Sequence, residues 1–184
     1  MQNPDFERIE KRLFSEGLVS ANFGNISVRK GDEGFFIKRA GAYLDTPGDP
    51  IFVPMEGDVP KEASSEYRVH RAVYRKTPCA AIVHAHPPNA VAVSLILDKV
   101  VPMDSEGEMF CPIIPVVKGE PGTDELAERV LQGFTLGPVV IARGHGTFAV
   151  GKSLDEAFVL TSLAEHSCRI LSLISGMKRE KKDQ

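Results

Sequence analysis

Two histidines one residue apart, His84 and His86 in "IVHAHPPN", close an apolar run that reads as a strand. Side chains alternate faces along a strand, so residues i and i+2 point the same way. The chain has only 5 histidines in 184 residues, and two imidazoles sharing one face at a strand end suit a metal ion. A third, His145 in "ARGHGTF", directly follows the apolar run "PVVIA" and has glycine on each side. Those glycines let the backbone turn tightly and let another group come close. Three imidazoles with one open position are the arrangement of catalytic rather than structural zinc. Mn²⁺, Co²⁺ or Fe²⁺ could replace it, since imidazole discriminates poorly among them. The spacing leaves open whether His145 reaches the pair.

A carboxylate adds to the set. Glu66 in "SSEYRVH" falls in the first turn of a helix, behind Ser64 and Ser65, whose hydroxyls and backbone donors could hold an anion. A glutamate there is favoured by the helix dipole in any case. It is also the group that moves a proton to or from carbon beside a metal-bound substrate. His70 follows four residues later on the same helix face, where a hydrogen bond to Glu66 would make it a support rather than a ligand.

The elements that must position these groups follow from periodicity and punctuation. "PDFERIEKRLFSEG" puts Phe6, Ile9, Leu13 and Phe14 on one helical stripe and closes at Gly17. "GNISVRK" and "GFFIKRAG" are two short strands joined by "KGDEG", and "IFVP" is a third inside a loop rich in proline, glycine and aspartate. "SSEYRVHRAVYRKTP" is a helix ending before Pro78, "CAAIVHAH" a buried strand and "NAVAVSLIL" a short helix. Residues 109 to 118, "MFCPIIPVVK", are extended and twice interrupted by proline, which predicts an edge strand at best. A helix over "GTDELAERVLQGF", a strand–turn–strand over "GPVVIARGHGTFAVG" and a last helix from the capping box Ser153-x-x-Glu156 to Gly176 complete the chain. His166 falls in that last helix, and "MKREKKDQ", residues 177 to 184, reads as a charged tail. The hairpin-like pairs among interspersed helices predict an α/β domain built on a mixed sheet with helices on its faces.

Composition narrows the classes. A chain of this length forms one domain with a substantial core. Its 42% apolar and 26% charged residues are those of an ordered globular protein, and a net charge of -3 gives no reason to expect nucleic acid. Neither a signal-peptide core nor a membrane-length apolar run is evident. Cys79, Cys111 and Cys168 are odd in number and widely spaced, which indicates neither a disulfide framework nor a Cys-x-x-Cys metal site. The expectation is a cytoplasmic protein with no membrane partner.

"GNIS", "SSEYRVH", "IVHAH" and "GHGTFAVGKSLDEAF" stand in the order and approximate spacing of the class II aldolase/adducin family, which the chain resembles from residue 6 to about 175. The resemblance implies a single three-layer α/β/α domain, residues 1–176, with a mostly antiparallel central sheet, assembled as a homotetramer. It implies one Zn²⁺ per subunit on His84, His86 and His145, Glu66 as catalytic acid/base, and a phosphate pocket of Gly24, Asn25, Gly41, Ser64 and Ser65. The implied reaction is reversible aldol cleavage of a small phosphorylated sugar, a ketose 1-phosphate such as L-fuculose 1-phosphate, to dihydroxyacetone phosphate and an aldehyde. The phosphate assignment agrees with residue chemistry, since glycine, asparagine and serine supply uncharged donors without a competing carboxylate.

The chain departs from the family at the aldehyde side. Aldolases of the family carry a tyrosine after the "IP" strand, given to a neighbouring subunit's site; the ungapped alignment of "PGTDEL" places Lys118 there, as a second candidate catalytic residue. A second family tyrosine, on a C-terminal extension, has no counterpart up to Gln184, and Tyr43, Tyr67 and Tyr74 lie elsewhere. Other members of the family are methylthioribulose-1-phosphate dehydratases, pentulose-phosphate 4-epimerases and non-catalytic adducin-like modules. The epimerases usually have Asp where this chain has Glu66, and nothing in protein binding requires all four of His84, His86, His145 and Glu66.

Overall fold

The computed structural model describes residues 4–180. In chain order its elements are α1 (Pro4–Ser15), β1 (Asn25–Lys30), β2 (Gly34–Ile37), β3 (Ile51–Pro54), α2 (Tyr67–Lys76), β4 (Ala81–Ala85) and α3 (Pro88–Ser94). They continue as β5 (Lys99–Val100), α4 (Ser105–Phe110), β6 (Ile114–Val117), α5 (Asp124–Gly133), β7 (Val139–Ala142), β8 (Gly146–Gly151) and α6 (Leu154–Glu180). The strands form one eight-stranded sheet in the order β3-β2-β1-β4-β8-β7-β6-β5. Every pairing is antiparallel except β6 with β7. The strand that carries His84 and the strand that follows His145 are therefore the two central neighbours.

Alternation along the central strands sorts the core into layers. Ile82 of β4 and Phe148 of β8 pack with Val69, Val73 and Tyr74 of α2 and Leu126 and Val130 of α5. On the other face, Ala81, Val83 and Ala85 meet α1 and α6, and Val139, Ile141 and Ala149 meet α3 and α6. This is the three-layer α/β/α domain with a mostly antiparallel sheet. Helix α1 is anchored by Phe6, Ile9 and Leu13, all buried, each contributing on the order of 1.5–3 kcal/mol. Phe14, assigned to the same stripe, is instead exposed at 38%. Past the helix, Gly17 at φ 68 makes the left-handed stop that the sequence predicts.

Local expectations are corrected at three elements. Met109 and Phe110 are not extended; they end α4, whose cap Asp104 accepts the backbone N–H of Gly107 at 2.9 Å. Strand β6 is not an edge, because β5 pairs along its outer side at Lys99↔Pro115 and Val100↔Ile114. So short a ladder loses little to the missing N–H of Pro115. Helix α6 does not stop at Gly176 but runs on to Glu180, with residues 181–184 of the charged end lying outside the described residues. Its segment Leu154–Met177 is long and apolar enough to cross a membrane by length and composition. Here its apolar side, through Leu154, Ala157, Phe158, Leu160, Ala164 and Cys168, is buried against the sheet.

Candidate metal centre and active site

His84 points from β4 into the layer of α2 and α5, where its ring stacks on Phe148 at 4.1 Å between centroids. Its Nδ1 lies 2.9 Å from the carbonyl oxygen of Thr147. A carbonyl only accepts, so Nδ1 carries the hydrogen and Nε2 is left with a free lone pair. Nε2 of His86 is 3.0 Å from that atom. His86 stands one residue beyond β4, its N–H bonded to the Leu18 carbonyl at 2.9 Å and its ring parallel to Phe23.

His145 joins them through sheet pairing. It sits in the turn between β7 and β8, and the β4–β8 register places Ala85 opposite Thr147. The His145 ring centroid lies 4.6 Å from that of His84 and 4.7 Å from that of His86. One nitrogen of each imidazole lies within 4.8 Å of the others. Gly146 permits this closeness: a Cβ there would stand 2.1 Å from the Ala85 carbonyl oxygen and 3.0 Å from Cδ2 of His86.

Burial pushes all three imidazoles down from their ordinary range, His86 to about 4, with the neighbouring histidines lowering His84 and His86 further. Near neutral pH they are uncharged, the form that donates a lone pair to a metal. Ligand nitrogens 2.0–2.1 Å from a tetrahedral ion stand about 3.3 Å apart, and the His84–His86 contact of 3.0 Å is close to that. Buried Nδ1 of His145 has no partner. The donor set fits a divalent transition metal.

The imidazoles form one wall of a cavity of about 520 Å³, and Glu66 forms another. Glu66 is the N-cap of α2, one residue before the first turn, and its side chain makes no capping bond. It is 5% exposed, and its Oε2 has no hydrogen-bond partner. Burial pushes its pKa up to about 7, opposed by the backbone N–H of Gly122 and the charge of Arg68. A carboxyl group near neutrality can both take and return a proton. The expected bond to His70 is not made. His70 Nδ1 instead meets Ser27 Oγ at 2.6 Å, which lies 2.7 Å from the Tyr74 hydroxyl, and burial drives the His70 pKa to about 3. His70 is thus a core support.

Gly24, Asn25, Gly41, Ser64 and Ser65 line the same cavity. Gly24 adopts φ 73, and a Cβ there would come 2.8 Å from the His84 carbonyl oxygen, so only glycine lets this loop lie against the ligand strand. Sequence reasoning missed Lys38, which also lines the cavity although 4% exposed. Its ammonium donates to the carbonyls of Asn22 at 3.0 Å and Ala42 at 2.6 Å, pinning the loops that carry Gly24 and Gly41. A lysine closing the apolar run "GFFI" was the available signal. Lys118 does not line this cavity; it lies after β6, in a separate cleft with Asp98, Arg129 and Arg143.

A three-layer domain with three imidazoles and a buried carboxylate in one cavity defines a class, and the comparisons agree on it. The family model "Class II Aldolase and Adducin N-terminal domain" matches residues 6–172. The chain belongs to that family. An L-fuculose phosphate aldolase of Methanococcus maripaludis is 30% identical over 179 residues, covering 95% of this chain and 98% of the relative. A 5-methylthioribulose-1-phosphate/5-deoxyribulose-1-phosphate aldolase of Rhodospirillum rubrum is 29% identical, over 89% of this chain and 78% of that one. The crystal structure of L-fuculose-1-phosphate aldolase from Thermus thermophilus superposes with a TM-score of 0.90 at 38% identity, covering 94% of this chain and 93% of that one.

Proposed function

We propose that this class II aldolase family member is a divalent-metal-dependent lyase that cleaves a ketose 1-phosphate reversibly to dihydroxyacetone phosphate and an aldehyde. The carrying observation is the convergence of His84, His86, His145, Glu66 and the uncharged donors of Gly24, Asn25, Gly41, Ser64 and Ser65 on one cavity. The relatives' names support the substrate class, since they pair one reaction with several sugar phosphates.

His84, His86 and His145 would hold the metal, zinc being the first choice for three imidazoles. That ion supplies Lewis-acid polarisation of the ketone carbonyl. The backbone N–H groups at Gly24, Asn25 and Gly41 and the hydroxyls of Ser64 and Ser65 bind the phosphate and orient the three-carbon unit. Glu66 removes a proton from the hydroxymethyl carbon next to the carbonyl, in the direction of condensation. That carbon then attacks the aldehyde; cleavage runs the same steps backwards, with Glu66 returning the proton. Lys118 of a neighbouring copy meets the aldehyde oxygen. No lysine Schiff base is involved.

The chain assembles as a homotetramer and works in the cytoplasm on a soluble substrate, without nucleic acid or membrane. Exposed Ile96, Met103, Met109 and Phe110 support burial against further copies. The test is aldehyde release from a panel of phosphorylated ketoses by zinc-loaded protein. Release from at least one, abolished by a chelator and restored by zinc, is expected; none from any would overturn the proposal.

A further inference from the structure

Two of the three imidazoles stand off the sheet. His84 is held by β4 and by Thr147, but His86 lies one residue past β4 and His145 lies in a turn. Helix α3, a seven-residue helix that begins two residues after His86, is hydrogen-bonded at its far end to the turn that carries His145.

Its first turn has no capping side chain of its own, because the N-cap is Pro87. The carboxylate of Glu165, on α6, serves instead. Its Oε1 accepts the Asn89 backbone N–H at 3.1 Å and the Asn89 Nδ2 at 2.7 Å, and its Oε2 accepts the Ala90 N–H at 2.9 Å. An ionised acceptor at a helix N-terminus is favoured both by charge and by the orphan N–H groups there. The far end of α3 is clasped from the other ligand's turn. Buried Ser94 Oγ accepts the Gly144 N–H at 2.9 Å and donates to the Val91 carbonyl at 2.7 Å. Arg143 donates to the Ser94 carbonyl at 2.6 Å and to the Leu97 carbonyl at 3.2 Å. Gly144 and Arg143 directly precede His145.

We propose that α3 is a strut, tied by Glu165 beside His86 and by Ser94 and Arg143 beside His145, that sets the spacing of these two imidazoles and thereby the affinity of the site for a divalent metal. The proposal rests on the reading of the three histidines as ligands. Glu165, Ser94 and Arg143 are positioning residues, and none of them lines the site cavity. Groups that orient metal ligands change affinity by about 10- to 100-fold when altered.

The test uses Co²⁺ alone as probe, with affinity measured by chelator competition and the ligand field by visible absorption. Glu165→Gln and Ser94→Ala are compared with Asp104→Ala, which removes the cap of α4 and interacts with Ser167 of α6 but bonds to neither α3 nor the turn before His145. The first two are expected to lower Co²⁺ affinity about 10- to 100-fold and to alter the Co²⁺ spectrum. Asp104→Ala is expected to lower the melting temperature with affinity and spectrum unchanged. Wild-type affinity and spectrum in both strut variants would overturn the strut while leaving the metal site standing. So would equal affinity losses in all three variants, which would reduce the effect to general destabilisation. No Co²⁺ binding by the wild type would remove the metal site and the strut with it. Should Glu165→Gln fail to fold, Ser94→Ala decides the matter alone.

Discussion

Thr147 presents its carbonyl oxygen 2.9 Å from Nδ1 of His84, and this one contact selects the nitrogen that faces the cavity. With Nδ1 protonated, Nε2 is the free donor, beside Nε2 of His86 at 3.0 Å. His84→Ala is therefore expected to lose the metal. Elemental analysis should find near-stoichiometric zinc in the wild type and little in the variant; undiminished zinc would exclude His84 as a ligand.

Glu66→Gln keeps the size of the side chain and removes its basicity. Fold and zinc content should be retained while turnover falls roughly 10²- to 10⁴-fold, the usual contribution of such a proton transfer. Because burial holds the group at about 7, the base form grows as pH rises, and the rate of condensation, in which Glu66 takes the proton, should rise with pH through that value. Near-normal turnover in the variant would leave Glu66 a helix-cap residue only.

The period of two placed His84 and His86 on one face from the sequence alone, and the glycines around His145 announced a close approach. That His145 meets the pair was not legible, because it follows from the β4–β8 register, which joins residues far apart in the chain, such as Ala85 and Thr147. Proline in β6 masked an interior strand because its partner β5 is only two residues long. The hydrogen bond expected between Glu66 and His70 failed because Ser27, on β1, competes for the imidazole. Such cross-strand choices leave no local trace, and the same holds for the burial of Glu10 on α1.

Glu10 carries a stability prediction. It is 1% exposed, its Oε2 is unpartnered, and burial pushes its pKa up to about 8, only partly offset by Lys38. A carboxyl group raised in the folded state binds protons there that the unfolded chain has released. Stability therefore falls as pH rises from the ordinary carboxylate range to about 8. Glu10→Gln should flatten this fall and melt above the wild type at alkaline pH, the gap closing toward pH ~5, with a ceiling of about 1.4 kcal/mol per displaced pKa unit. Parallel melting curves against pH for the two proteins would refute it.

Gly146→Ala should disturb the site directly, since the new Cβ would overlap the Ala85 carbonyl beside His86. A loss of about 1–3 kcal/mol is expected from such overpacking, together with weakened zinc binding. Gly176→Ala on α6, where a Cβ meets nothing within 4 Å, should instead be neutral or stabilise by up to about 1 kcal/mol. Calorimetric melts of the two variants give the comparison.

Lys118 tests both the aldehyde side and the assembly. Within one chain it lies outside the site cavity, in a cleft of its own. If it acts, it acts on the site of an adjacent copy, where an ammonium group would stabilise the developing alkoxide or protonate it. Lys118→Met should then depress cleavage of the ketose phosphate far more than proton exchange at the hydroxymethyl carbon of dihydroxyacetone phosphate. Only cleavage makes or breaks the carbon–carbon bond, whereas exchange needs Glu66 alone as proton carrier. The cleavage defect should also be shared by any variant that dissociates the assembly, such as Met109→Glu on the exposed face of α4. Light scattering of the wild type should give a multiple of 20.1 kDa. A fully active monomer, or equal effects of Lys118→Met on both reactions, would return Lys118 to the solvated surface and require another donor to the aldehyde oxygen.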